Sequence, residues 1–191
     1  MSLIKAIKSK KRSLGEVGQI CAKGPQIMKG YWNKDEESQK ALKGGWMHTG
    51  DAGRMDEEGF VFIQDRIKDM IVSGGENIYS TEVEAALFAH PDVIDAAVIG
   101  VPDEKYGEVV KACIVKKEGS KINEEDLINF CKDRIASYKK PQSIDFIDEV
   151  PRNASGKVLK KVLREPYWKD QDRQVSSVSY THLTLPTSDL V

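Results

Sequence analysis

Apolar and polar residues alternate along Glu16-Val17-Gly18-Gln19-Ile20-Cys21-Ala22, and again more briefly along Gly59-Phe60-Val61-Phe62-Ile63, which predicts two strands. Glycines recur through this stretch at Gly15, Gly18, Gly24, Gly30, Gly44, Gly45, Gly50, Gly53 and Gly59, a density that predicts short strands joined by tight turns. After Asp65 the texture changes to alternating helical and strand patterns, the mark of a compact α/β unit, so a domain boundary is expected between Asp65 and Lys68. Thr81-Glu82-Val83-Glu84 has the spacing of a capping box and predicts a helix running to about His90, closed by Pro91. Two buried strands follow at Asp95 to Val101 and Val109 to Val115, with a turn at Pro102-Asp103. Asn123 is placed to cap a helix with an acidic first turn, Glu124-Glu125-Asp126, extending to about Ile135, and Ile144 to Ile147 reads as a third short strand. Beyond Pro151 a polar loop, Arg152-Asn153-Ala154-Ser155-Gly156, precedes a basic helix expected from Lys157 to about Glu165. The expected organisation is therefore a β-rich part over 1–65, an α/β part over 66–166, and a tail over 167–191. From Gln174 onward that tail has no periodicity joining it to the rest and reads as foreign to this plan.

Charge changes this picture little. The 191 residues carry 29 Lys and Arg against 30 Asp and Glu, a net charge of -1, so no global field favours nucleic acid or an anionic membrane, and partners must come from local sites. Runs such as Ala96 to Val101 fall far short of the roughly 20 apolar residues that span a bilayer. Cys21, Cys113 and Cys131 form neither a CxxC pair nor a disulfide ladder and read as small buried thiols, in keeping with a reducing, cytoplasmic setting. Met1 to Ser13 is basic without an apolar core or cleavage site, and is expected to be a surface arm rather than a secretory signal.

Four stretches carry candidate chemistry, and each has a plain reading beside it. In Trp46-Met47-His48-Thr49-Gly50-Asp51 a carboxylate follows a glycine turn, where its oxygens can accept from the hydroxyls of a ribose; alone, it reads as an ordinary turn. Asp65-Arg66-Ile67-Lys68-Asp69 followed by Ser73-Gly74-Gly75-Glu76-Asn77 joins a charged segment to a glycine loop that a ligand can approach closely; alone, it reads as surface ion pairs and a turn. Ala136-Ser137-Tyr138-Lys139-Lys140-Pro141 by itself is a helix exit before proline. Pro151 to Lys157 sets one lysine at the end of a flexible polar loop, suited to delivering a point charge to a carboxylate or phosphate. It is not a phosphate-binding Walker loop, because Pro151 stands where the first glycine is needed and Val158 where Ser or Thr is needed.

In order and spacing these stretches closely resemble the adenylate-forming ligases, from Gly15-Glu16-Val17-Gly18 and Gly30-Tyr31 through Thr49-Gly50-Asp51 and the run from Asp65 to Ile78, to Gly156-Lys157. Within that superfamily the unbroken Asp65 to Ile78 run, and Val-Leu-Lys-Lys after Lys157, look most like bacterial fatty acyl-CoA synthetases. The resemblance implies an α/β (α+β) lid domain with a short sheet and packed helices, preceded by a β-rich remnant of a large AMP-binding domain. It implies an enzyme that joins a carboxylate to AMP, releases pyrophosphate, and lets coenzyme A displace AMP. ATP, a carboxylic acid and CoA would be its small-molecule substrates, with Mg2+ held by ligands outside this chain. Asp51 and Arg66 would hold the ribose, Lys157 would bridge the acyl carboxylate and the α-phosphate, Lys68 would be the hinge, and Gly74 and Gly75 would line the tunnel for the pantetheine thiol. The sequence departs from the family in lacking a Ser/Thr/Gly-rich triphosphate loop, a Tyr-Gly-x-Thr-Glu motif and an acyl pocket upstream of Gly15, so the chain alone is expected to be inactive. The reading from another class is a non-catalytic α/β lid or interaction module that binds a partner or, weakly, a nucleotide.

Overall fold

A computed structural model describes residues 14–169, which form two compact units, the first ending at Lys68 and the second beginning at Asp69. The basic arm expected over Met1 to Ser13, and the expected tail from residue 170 on, lie outside the described residues.

The first unit is a three-stranded antiparallel sheet in chain order, β1 (Gly18–Ala22), β2 (Met47–Met55) and β3 (Val61–Arg66), with a short helix α1 (Asp35–Ala41) between β1 and β2. The β2–β3 turn follows from its residues: Asp56 Oδ1 accepts from the backbone N–H groups of Glu58 and Phe60, and Gly59 takes φ 88°. Gly53 has no alternative, since a Cβ there would lie 2.6 Å from the Phe62 carbonyl oxygen. The sequence reading missed α1, whose signal is electrostatic rather than periodic. Asp35, Glu36 and Glu37 fill its first turn, Lys40 stands in its last, and none of its residues is buried.

The second unit is built on one long hairpin, β6 (Val93–Asp103) and β7 (Gly107–Lys116). Two small strands, β4 (Ile71–Ser73) and β5 (Glu76–Ile78), and the parallel strand β8 (Ser143–Phe146) complete its sheet, with β4 and β8 both on the side of β7 away from β6. Helices α2 (Ser80–Phe88) and α3 (Glu124–Lys132) contribute Val83, Leu87 and Leu127 to a core with Val98, Val110 and Ile114. The opposite face carries Ile99, Val101 and Cys113 under Leu163 and Tyr167, which belong to helix α4 (Lys160–Arg164) and the turn of 3-10 helix after it. Covering on both faces is the reason Ala96 to Val101 reads as an unbroken apolar run instead of alternating. Among the described residues no helix is long and apolar enough to cross a membrane.

Several local expectations need correction. The capping box proposed at Thr81 to Glu84 does not form: α2 starts at Ser80 after Tyr79, which makes no side-chain cap bond. Glu84 instead accepts from the Val98 backbone N–H at 2.8 Å and pairs with Lys160 at 2.7 Å, because a carboxylate on the buried flank of a helix gains more by satisfying a strand edge. At Asn123 the box is real, with Asn123 Oδ1 accepting from Asp126 N–H at 2.9 Å and Asp126 Oδ2 accepting from Asn123 N–H at 3.3 Å. Pro102 and Asp103 belong to the end of β6, and the turn comes after them, held by Asp103 Oδ1 accepting from the N–H groups of Lys105 and Tyr106. The last helix begins at Lys160 rather than Lys157, because the Arg152–Val158 bridge and the Leu159 N–H to Pro151 carbonyl bond close the preceding loop on itself.

Candidate functional site

Asp51 lies within β2 rather than in a free turn. The glycine before it takes φ 78° inside the strand, and Asp51 faces Arg66 of β3 as its register partner. Arg66 Nε stands 2.8 Å from Asp51 Oδ1. The strand is braced from beneath: Thr49 Oγ1 donates to the Ile20 carbonyl at 2.9 Å and accepts from Asp51 N–H at 3.1 Å. Arg66 is held at its backbone, its N–H donating to Oδ1 of buried Asp65 at 2.7 Å. The result is a half-buried carboxylate oriented by a guanidinium, a fitting acceptor for vicinal hydroxyls.

Ile67 to Asp69 form one turn of 3-10 helix that contains Lys68. At its C-terminal side buried Asp69 is paired with Arg164 of α4 at 3.0 Å. Gly74 and Gly75 are the two central residues of the β4–β5 hairpin, with φ 58° and 89°, the signs a type I′ turn requires. Gly74 N–H donates to the Tyr106 carbonyl at 2.9 Å, and a Cβ on Gly74 would lie 3.2 Å from the Tyr106 ring, whereas one on Gly75 would meet nothing within 4 Å.

The loop carrying Lys157, expected from sequence to be flexible, is folded on hydrogen bonds of its own. Asn153 Oδ1 accepts from Ser155 N–H, Ser155 Oγ and Lys157 N–H at 3.0, 2.8 and 2.9 Å, while Asn153 N–H donates to the Lys157 carbonyl at 2.9 Å. Gly156, at φ 80°, lets the chain turn around that side chain. Arg152 then fastens the loop to the sheet, donating to the Gly156 carbonyl at 3.0 Å and to both oxygens of Asp95 at 3.0 and 2.8 Å. Sequence reasoning missed Arg152, Asn153 and Asp95. The asparagine was legible as a side-chain turn former, but the link from Arg152 to Asp95, 57 residues away, was not.

Asp51 and Arg66 therefore meet in the first unit. In the second, the Gly74-Gly75 turn and the Lys157 loop are not brought together. The first rests on the turn after Asp103 and the second is tied at Asp95, so they stand at opposite ends of β6, separated by about 26 Å at roughly 3.3 Å per residue. A further cluster that the sequence did not suggest joins Lys111, Asp145 and Tyr167. Lys111 Nζ is 2.6 Å from Asp145 Oδ1, and the Tyr167 hydroxyl donates to Asp145 Oδ2. Burial pushes the Tyr167 phenol up, with the Asp145 charge adding to it, and burial likewise raises the neighbouring Cys113 thiol to about 11.

Residues 82–157 match the AMP-binding enzyme C-terminal domain. The chain is 51% identical over 150 residues to a long-chain-fatty-acid–CoA ligase of Bacillus subtilis, covering 78% of this chain and 27% of that protein. It is 48% identical over 149 residues to a 2-succinylbenzoate–CoA ligase of Geobacillus kaustophilus, covering 78% of this chain and 30% of that one. Among solved structures, ATP-bound MatB from Rhodopseudomonas palustris superposes with a TM-score of 0.80 at 38% identity, over 89% of this chain and 34% of MatB. The chain thus spans about a third of the length of the relatives it matches. Residues up to Lys157 match an AMP-binding enzyme C-terminal domain, and the similarity to acyl-CoA ligases runs upstream of it.

Proposed function

We propose that this chain is the C-terminal part of an ATP-dependent acid–thiol ligase that makes an acyl-CoA, with AMP and pyrophosphate as the other products, through an acyl-adenylate. The observation that carries the reading is the C-terminal domain match that begins in α2 and ends on the loop lysine, Lys157. In this reading the chain works as a lid over 66–166 behind a β-rich end of a larger domain, in a cytoplasmic protein whose three cysteines are buried and not in disulfides.

Asp51, steered by Arg66, accepts from the ribose hydroxyls of ATP. Lys157 brings its ammonium to the carboxylate and α-phosphate as negative charge builds in the first transition state, where an opposite charge lowers the barrier most. Lys68 is the pivot. It sits in a single 3-10 turn between two fastened ends, Arg66 with Asp51 and Asp65 before it and Asp69 with Arg164 after it, so rotation would concentrate at Ile67 and Lys68. The separation of the Lys157 loop and the Gly74-Gly75 turn along β6 supports a lid with two working ends, one for adenylation and one for the arrival of the thiol. Mg2+ would accompany ATP. Its ligands are proposed to lie in parts of the enzyme outside this chain.

A fatty carboxylate is the proposed substrate, supported by the 51% identical relative. Since a similarly close relative acts on 2-succinylbenzoate, the acyl group is read by residues outside this chain. ATP–pyrophosphate exchange with a panel of carboxylates tests the reading. Exchange is expected when the chain is joined to the upstream two thirds of a relative, and none from the chain alone. Exchange that survives Lys157→Ala in the joined enzyme would remove the lysine from the first half-reaction.

A further inference from the structure

We infer that Arg152 and Asp95 form a latch that sets the base of Lys157, making Arg152 a positioning residue for adenylation. The inference rests on the proposed role of Lys157 but adds residues to which that role gives no part.

A lysine has four rotatable side-chain bonds, so its ammonium can search a wide volume unless the backbone beneath it is fixed. Here the backbone is fixed on both sides. The N–H and C=O of Lys157 are both engaged by Asn153, at 2.9 Å each, and the carbonyl before it, on Gly156, accepts from Arg152 at 3.0 Å. Those contacts within residues 152–157 fold the loop but do not say where it stands. That is decided by the other end of Arg152, whose Nη2 reaches both oxygens of Asp95. Asp95 is fixed in turn, because its Oδ1 accepts from Ala96 N–H at 2.9 Å in β6, the longest strand of the sheet. One guanidinium therefore spans from the rigid sheet to the peptide before the lysine. Arginine suits this task because its planar fork offers several donors in fixed directions, which lysine lacks. The pair is partly exposed, with Arg152 at 42% and Asp95 at 23% side-chain accessibility, which favours a role in geometry over one in stability.

Two measurements test this, and the first does not depend on any activity. Amide hydrogen exchange at Gly156 and Lys157 is followed in the 191-residue chain with Arg152→Gln, Asp95→Asn and the double variant. Each single change should speed exchange at both amides by about tenfold while the sheet amides of β6 and β7 stay protected, and the double should be no faster than the singles, as expected of two residues acting as one unit. Unchanged exchange in either single variant overturns the latch. The second measurement uses the joined enzyme and compares half-reactions. Arg152→Gln should lower kcat for adenylation about tenfold or more with KM for ATP unchanged, while thioester formation from supplied acyl-AMP keeps its rate, since sub-ångström misplacement of a catalytic group is costly only where that group acts. Equal loss in both half-reactions would make Arg152 merely structural and overturn the positioning role. If Lys157→Ala leaves adenylation intact while the exchange result holds, the assignment of Lys157 is what fails and the latch remains.

Discussion

At the scale of single residues the glycines and buried thiols yield the sharpest expectations. Gly75 is the proposed lining of the thiol's path, yet its φ of 89° penalises any side chain whatever passes nearby. Asparagine tolerates positive φ better than leucine, so comparing Gly75→Asn with Gly75→Leu separates backbone strain from obstruction. If the tunnel role holds, both variants should accumulate acyl-AMP with normal pyrophosphate exchange in the joined enzyme; loss of both half-reactions by Gly75→Leu alone would make the glycine a turn residue. Burial raises the thiols of Cys113 and Cys131 to about 11, the Asp145 charge adding to the effect at Cys113. At pH 8 about one in a thousand of either is therefore thiolate, and both should react with a disulfide reagent far more slowly in the native chain than in denaturant. Asp145 shows how opposing effects resolve. Burial alone would raise its carboxyl, but the bonds from Lys111 and Tyr167 outweigh it and the carboxyl is lowered from 3.8. A carboxylate depressed on folding contributes stability above its unfolded value and loses it as pH falls through the folded one. Asp145→Asn should accordingly flatten the fall of Tm below pH ~4, which thermal melts across pH 2 to 6 would check.

At the scale of elements the decisive feature is the outer edge of β6, which among the described residues has no strand beside it and is guarded by side chains. Glu84 takes the Val98 N–H, and Trp168 Nε1 donates to the Gly100 carbonyl at 3.0 Å. An unguarded strand edge is a template for pairing with another chain. Trp168→Phe keeps the ring but deletes the donor, and should cost about 1 kcal/mol and increase self-association, measured by thermal melts and light scattering. Asn123→Ala removes a fully formed capping box from α3 and should cost about 1 kcal/mol as well. Thr81→Ala carries no such cap penalty, because α2 does not begin there. In sequence the box is expected at Thr81 to Glu84, and Asn123 reads only as a cap. The two sites differ because Glu84 is drawn to a strand edge that local spacing cannot reveal.

At the scale of the whole molecule the two units are unequally built. Among the described residues Ile20, Cys21 and Ala52 are the buried apolar residues of the first unit, whereas the second has a continuous core from Met70 to Val150. A small core leaves little to offset chain entropy. Amides of β1 to β3 should exchange early, and those of β6, β7 and α2 last, in native-state hydrogen exchange of the 191-residue chain; the reverse order would contradict this reading of the core. Lys68→Pro belongs to this scale too. Locking φ at the pivot should leave the second unit's amide protection unchanged while the joined enzyme retains one half-reaction and loses the other.

Features that depend on neighbours along the chain can be read without a structure. The apolar run of Ala96 to Val101, the Asn123 cap, the turn at Gly74-Gly75 and the order of the motifs were all legible, because periodicity, capping and turn preference are local. They sufficed to bring out the resemblance to the adenylate-forming ligases and to single out Asp51, Arg66, Lys68, Gly74, Gly75 and Lys157 as candidates. How those candidates are held follows from the packed fold alone. Asp51 faces Arg66 through strand register, Lys157 stands on a loop tied to Asp95 by Arg152, and Glu84 serves β6 in place of its own helix. Each of those contacts joins residues at least 14 positions apart, and which distant partner a charged side chain finds is fixed by packing of the sheet and helices, not by any pattern within a window of sequence.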